Sequence, residues 1–123
     1  MTKIIKQKIS EADIQTFILD FLTTSRIGYF WRNNTVGVYD PTRCIYRKNK
    51  KQEKGIPDIL GVMCGRFIAI ECKSSTVKKL SDDQEKFKEQ FERSDGIFYM
   101  ANDIDAFRIW IKELKHILTN KIN

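Results

Sequence analysis

The sequence has one histidine and three cysteines, and these small numbers exclude several kinds of active site. With His116 as the single histidine, catalytic triads that use histidine and clusters of histidine metal ligands lack their components. Cys44, Cys64 and Cys72 are odd in number and widely spaced, which fits neither a disulfide framework nor a paired Cys-x-x-Cys zinc site. A reducing compartment is the simpler interpretation. The available chemistry is therefore that of carboxylates and lysines.

Long apolar runs are missing as well. The longest run falls far short of the roughly 20 residues that a membrane span needs, and no charged N-terminal segment is followed by an apolar stretch of secretory length. We therefore expect a soluble cytoplasmic protein that does not bind a membrane. Because the 123 residues contain no internal repeat and no low-complexity linker, we expect one domain over residues 1–123.

Positive charge is in excess and unevenly distributed. The net charge of +6 comes from 22 lysines and arginines against 16 aspartates and glutamates, a surplus that favours a polyanionic partner. Much of the surplus lies just before Gly55, where phosphate contact competes with the alternative of a solvated loop face. Trp31 and Trp110 are interpreted as core aromatics rather than base-stacking surfaces, because apolar residues flank them. The residues expected to contact phosphates are Arg32, Arg43, Arg47, Lys48, Lys50, Lys51 and Lys54.

Hydrophobic spacing and capping residues predict an α/β fold. Ser10 is a predicted N-cap of a first helix, and Ser81 forms a capping box with Gln84 that opens a second helix through about Arg93. Asn102 or Asp103 is expected to cap a final helix. Strands are predicted at residues 29–32, about 44–46, 59–63, 67–73 and 97–101. The expected architecture is a central mixed sheet flanked by helices.

Two short motifs are expected to meet at one end of a hairpin. They are Gly55-Ile56-Pro57-Asp58 and Ile70-Glu71-Cys72-Lys73, separated by two predicted strands and a tight turn at Cys64-Gly65-Arg66. The hairpin places Asp58 and Glu71 at the same end. Because side chains alternate between the two faces of a strand, Glu71 and Lys73 project to one side.

This pair of motifs suits phosphodiester hydrolysis. Hard divalent cations are bound by oxygen ligands, which Asp58, Glu71 and the backbone carbonyl of Cys72 would supply. Lys73 would lie near the attacking water and the scissile phosphate, where its ammonium could orient the nucleophile or stabilise the transition state.

Each of these residues also has a purely structural interpretation. Asp58 could be a turn residue, and Glu71 with Lys73 could be a pair on an exposed sheet face. The apolar character of the strand favours a cleft wall for that pair. Glu11 could be an acid that the helix dipole favours at the N-terminus of the first helix, or it could supply a further acidic ligand. Gln84 could serve the capping box alone or donate a hydrogen bond to water or phosphate.

The order of these motifs resembles the PD-(D/E)xK nuclease superfamily, and most closely its VRR-type nuclease domains. The resemblance spans nearly the whole chain. It implies a restriction-endonuclease-like α-β-β-β-α-β core that uses Mg²⁺ or Mn²⁺ to hydrolyse DNA. Asp58 and Glu71 match the metal-binding acids, Glu11 the helical glutamate, Lys73 the catalytic lysine and Gln84 the glutamine of the next helix. One departure is Cys72, where an apolar residue is usual.

The resemblance also implies a substrate and an assembly. Compact members of the family, often carried by phages, resemble Holliday-junction resolvases and act as homodimers on branched DNA. By that resemblance the chain is expected to be a homodimeric DNA-repair endonuclease of a bacterial or phage-infected cell. Two other classes stay open: a DNA-binding module on the same fold without catalysis, and a small interaction protein that oligomerises through its last helix.

Overall fold

The computed structural model describes residues 7–33, 38–47 and 54–120. Three helices and six strands form within these ranges. The helices are α1 (Glu11–Ser25), α2 (Asp82–Arg93) and α3 (Ile104–Asn120). The strands are β1 (Tyr29–Arg32), β2 (Val38–Asp40), β3 (Ile45–Arg47), β4 (Ile59–Met63), β5 (Arg66–Cys72) and β6 (Ile97–Ala101).

Four of the strands form one mixed sheet in the order β1-β4-β5-β6. The pairs β1–β4 and β4–β5 are antiparallel, whereas β5 and β6 are parallel. Strands β2 and β3 form a separate two-stranded hairpin between β1 and β4 in the chain. The predicted α/β fold is confirmed, and the order α-β-β-β-α-β appears as α1-β1-β4-β5-α2-β6, followed by α3.

Local signals set the ends of the elements. Ser10 caps α1 by accepting a hydrogen bond from the N–H of Asp13, and Ser81 with Gln84 forms the predicted capping box of α2. The β4–β5 turn has positive φ at Cys64 and Gly65, as a two-residue hairpin requires. Strand β5 therefore begins one residue earlier than predicted. Asp103, one of the two predicted caps, accepts from the N–H of Ala106 in the first turn of α3.

The hydrophobic core lies between one face of the sheet and helices α1 and α3. The helices contribute residues such as Ile14, Ile18 and Phe107, which are fully buried. The sheet contributes Ile59, Met63, Ile68, Ile70 and Cys72 to the same cluster. No helix in the ranges that the structure describes is long and apolar enough to cross a membrane.

The second face of the sheet is covered only in part by the described helices. Helix α2 packs there through Phe87 and Phe91, whose rings contact those of Phe98 and Phe67. On this face the side chains of Tyr29 and Trp31 in β1 stay open to solvent, and Trp31 is 37% exposed. Its interpretation as a core residue is therefore wrong, because strand alternation places it opposite the buried face. Trp110 is half-buried, as predicted, against the core.

Loss of the α2 cap should destabilise the protein without changing its core. In Ser81→Ala, the N–H of Gln84 loses its acceptor, so the free energy of unfolding should fall by about 1 kcal/mol in a urea titration. Ser94→Ala at the other end of α2 is the control, because Ser94 caps that end through its backbone N–H. Equal losses in the two variants would contradict the capping role.

Candidate metal centre

Asp58 and Glu71 meet at one end of the β4–β5 hairpin. Ile59 pairs with Ile70, so the residue before β4 lies beside the next residue of β5. Asp58 is held there because its Oδ2 accepts from the N–H of Cys72 at 3.0 Å. Its backbone carbonyl accepts from the N–H of Asn33 at 2.7 Å, which extends the β1–β4 pairing.

Glu11 reaches the same point from the first turn of α1. One carboxylate oxygen from each of Glu11, Asp58 and Glu71 lies within 4.8 Å of the other two. Glu11 is exposed to solvent, Asp58 is half-buried and Glu71 is buried, so the group runs from the surface inwards. We call these three residues the acidic triad. Their spacing allows all three to bind a single cation.

Burial and repulsion make Glu71 an unusual acid. It is 3% exposed, and its Oε2 has no hydrogen-bond partner among the described residues. Burial and then the Asp58 carboxylate raise its pKa from 4.5 to about 8, although Lys73 acts in the opposite direction. The raised pKa shows that the positive charge near Glu71 is too small to stabilise its ionised form. A divalent cation would supply that charge, and the unpartnered Oε2 of Glu71 is a suitable ligand atom for it.

Gln84 holds Glu71 in place while it caps α2. Its Oε1 accepts from the N–H of Ser81 at 2.8 Å, and its Nε2 donates to Oε1 of Glu71 at 2.9 Å. The capping role of Gln84 and its bond to Glu71 therefore use opposite ends of one amide, while a hydrogen bond from Gln84 to water or phosphate stays a prediction. Its donor group is directed to Glu71 rather than outwards, so the bond fixes one oxygen of Glu71 and leaves Oε2 for another partner.

Among the described residues, Lys73 is the cation that forms an ion pair with Glu71. Its Nζ lies 4.0 Å from Oε1 of Glu71, and its side chain is 17% exposed. Its backbone N–H donates to the carbonyl of Ala101 at 2.9 Å, which continues the β5–β6 pairing beyond β5. The ammonium group therefore lies beside Glu71, the buried member of the acidic triad.

The side chain of Cys72 faces away from this centre. Cys72 is fully buried in the core, and burial raises the pKa of its thiol, as do the nearby carboxylates of Asp58 and Glu71. A neutral buried thiol is a poor ligand for a hard cation. The part of Cys72 that serves the site is its N–H, which binds Asp58, while ligation by its carbonyl stays a prediction.

Gly55 lets the loop before Asp58 approach α2. It adopts a φ of +72°, and an added Cβ would lie 2.4 Å from the backbone oxygen of Asp83. Any side chain would therefore push the loop away from the first turn of α2. That turn contains Gln84, which donates a hydrogen bond to Glu71. The glycine of the sequence motif thus has a steric reason.

The predicted phosphate-contacting residues are only partly described. Arg32 at the end of β1, Arg43 between β2 and β3, and Lys54 before Gly55 are exposed. Arg47 ends β3. Lys48, Lys50 and Lys51 lie outside the described residues. Among the described side chains, those of Arg32, Arg43 and Lys54 form no ion pair with the acidic triad, and the phosphate-contacting role of all seven residues stays a prediction.

Asn33 is a residue of this region that the sequence did not reveal. Its backbone N–H binds the carbonyl of Asp58, and its buried Nδ2 has no partner among the described residues. Its proximity to Asp58 follows from the pairing of β1 with β4, for which the sequence carries no local signal.

Comparison with known proteins assigns no family. No family model matches the chain, and neither the curated proteins nor the solved structures contain a significant match. The fold and the site together define an α/β protein with a candidate carboxylate metal centre.

Without metal, Glu71 should make the protein less stable as the pH rises. The folded state keeps the Glu71 proton up to pH of about 8, whereas the unfolded chain loses it near 4.5. The stabilisation is therefore complete below pH 4.5 and is lost as the pH rises towards 8. In EDTA, Glu71→Gln should have a higher Tm than the wild type, by more at pH 8 than at pH 5.

The matched control for this measurement is Glu92→Gln. Glu92 is an exposed residue of α2, so the substitution removes the same charge outside the triad. Its Tm difference from the wild type should be small and independent of pH. A Glu71→Gln difference that does not change between pH 5 and pH 8 would show that Glu71 is not destabilised by ionisation.

A divalent cation should reverse this instability. At pH 7.5, adding Mn²⁺ or Mg²⁺ to the EDTA-treated protein should raise its Tm. At a cation concentration 100 times the dissociation constant, the free energy of unfolding should rise by about 2.7 kcal/mol. Glu71→Gln and Asp58→Asn should lose this increase, and Glu92→Gln should keep it. An equal increase in all four proteins would place the cation elsewhere.

Proposed function

We propose that the protein is an Mg²⁺- or Mn²⁺-dependent endodeoxyribonuclease that hydrolyses phosphodiester bonds. The observation that carries this proposal is the acidic triad of Glu11, Asp58 and Glu71, with the unpartnered Oε2 of Glu71 within it. Ionising all three acids without a cation is unfavourable, which is why Glu71 keeps its proton there, and a bound cation would offset this repulsion.

The residues of the triad would hold the cation through oxygen atoms, as Mg²⁺ and Mn²⁺ prefer. When bound, such a cation neutralises charge on a phosphodiester and activates water for attack. Hydrogen bonds from neighbouring residues hold two of the three carboxyl groups in position. The N–H of Cys72 holds Asp58, and the amide of Gln84 holds Glu71.

Lys73 would act on the phosphate itself. Its ammonium group lies 4.0 Å from Oε1 of Glu71. A fixed positive charge there stabilises the negative charge that develops on the phosphate oxygens in the transition state. It also offsets the repulsion between the incoming phosphate and the acids. Lys73 is therefore assigned as a catalytic residue.

The sequence motifs support a finer assignment. Glu11, the Gly55–Asp58 segment, Glu71 with Lys73, and Gln84 follow one another as in VRR-type nucleases of the PD-(D/E)xK superfamily. The fold has the element order that this resemblance implies. By the same resemblance we propose branched DNA, such as a four-way junction, as the substrate and a homodimer as the active form. The exposed Arg32, Arg43 and Lys54 would contact the DNA phosphates.

The test is cleavage of supercoiled, single-stranded, flap and four-way-junction DNA with Mg²⁺, Mn²⁺ or EDTA. The wild type should cut in the presence of either cation and not in EDTA. Glu71→Gln and Lys73→Ala should each slow cutting by about 100-fold or more, because each removes a group that acts on the transition state. Glu92→Gln should cut at the wild-type rate, since its charge lies outside the triad.

Gel shifts with the same DNA separate catalysis from binding. In EDTA, Glu71→Gln and Lys73→Ala should bind DNA about as well as the wild type, since the basic residues elsewhere supply most of the affinity. Binding without cutting of any substrate with either cation would favour a DNA-binding module and refute the nuclease proposal. Wild-type cutting by both variants would refute the site.

A further inference from the structure

Three aromatic side chains form a continuous exposed strip on the sheet. Tyr29 and Trp31 of β1 and Phe67 of β5 are 74%, 37% and 42% exposed. The ring centroids of Tyr29 and Trp31 are 5.7 Å apart, and those of Trp31 and Phe67 are 6.4 Å apart. We call these three residues the aromatic strip. Single exposed apolar residues are common, but three adjoining aromatic rings indicate a binding surface.

The aromatic strip shares a sheet face with Glu71. Tyr29 pairs with Val62 and Val62 with Phe67, so their side chains project to one side. Phe67 and Glu71 are separated by an even number of positions in β5, so they share this side as well.

The distance between the strip and the acidic triad is short. Trp31 pairs with Leu60, and Leu60 with Ala69, which precedes Glu71 by two residues. From the spacing and rise of strands, the Cα atoms of Trp31 and Glu71 are about 12 Å apart. A nucleotide next to a phosphate held at the triad would reach this far across the sheet.

The chemistry of the strip fits a nucleic-acid base. Aromatic rings bind bases by stacking, and this binding does not depend on the base sequence. The exposed Arg32 follows Trp31 at the end of the edge strand β1, and the chain carries a net charge of +6, which favours a polyanionic partner. In a duplex the faces of the bases are stacked on one another, so an unpaired base is the one that can bind.

We infer that Tyr29, Trp31 and Phe67 stack an unpaired base beside the scissile phosphate, so that the protein selects DNA with unpaired nucleotides next to the cut. This inference rests on the proposed nuclease function and specifies its substrate. The residues of the strip determine specificity through the base, whereas the triad and Lys73 act on the phosphate. Flaps, bulges and open junctions satisfy both parts of the site.

The test uses a flap DNA that carries 2-aminopurine, a fluorescent adenine analogue, at the unpaired position next to the branch. The protein is added in EDTA, so that no DNA is cut. Stacking on the strip should quench the fluorescence. Tyr29→Ala and Trp31→Ala should reduce the quenching and weaken binding of the flap by about 5- to 100-fold, the loss expected for one stacked base. Binding of a fully paired duplex should stay within about twofold of the wild type.

Two further variants control for folding and for general loss of apolar surface. Trp31→Phe keeps a ring and should restore most of the quenching that Trp31→Ala loses. Ile109→Ala removes a 60% exposed residue of α3, which packs on the other face of the sheet, and should bind like the wild type. The circular dichroism spectrum of each variant should match that of the wild type, because the substituted side chains lie outside the buried core.

The outcomes separate this inference from the proposed function. Quenching that depends on the strip, in a protein that cuts no DNA, would refute the nuclease proposal and keep the stacking surface. Cutting without quenching, or an equal loss of flap and duplex binding in Tyr29→Ala, would overturn the stacking surface alone. A homodimer that Tyr29→Ala dissociates in sedimentation would also overturn it, because the strip would then be an interface between two copies.

Discussion

Repulsion among three carboxylates at one end of the sheet is the constraint around which the site is built. Glu11, Asp58 and Glu71 place their oxygens within 4.8 Å of one another, and burial raises the pKa of Glu71 to about 8. A protein keeps such an arrangement at a cost in stability. The cost is consistent with a site arranged for a cation, since a bound cation would turn the repulsion into attraction.

The rest of the fold holds these acids together. The hairpin β4–β5 fixes Asp58 and Glu71, because the N–H of Cys72 binds Asp58 across it. The α2 cap reaches the same place, because one amide of Gln84 serves both Ser81 and Glu71. The buried face of the sheet packs against α1 and α3, which leaves the opposite face for chemistry and for the exposed aromatic rings.

Much of the fold could be predicted because its signals are local. The capping box at Ser81, the turn at Cys64-Gly65 and strand β6 depend on residues only a few positions apart. Strand β2 and the exposure of Trp31 could not be predicted in this way. Apolar neighbours made Trp31 resemble a core residue, but its environment depends on which face of the sheet a helix covers, and that is decided by packing.

The sequence by itself determined the order of the elements and the position of Asp58 and Glu71 at the same end of one hairpin, because hydrogen bonding and side-chain alternation act over short distances along the chain. Only the tertiary structure decided that Glu11 of α1 joins them, that Gln84 directs its donor to Glu71, and that Glu71 is buried. These features depend on elements that are distant in sequence and meet only when the core packs, and burial is the largest cause of the raised pKa of Glu71.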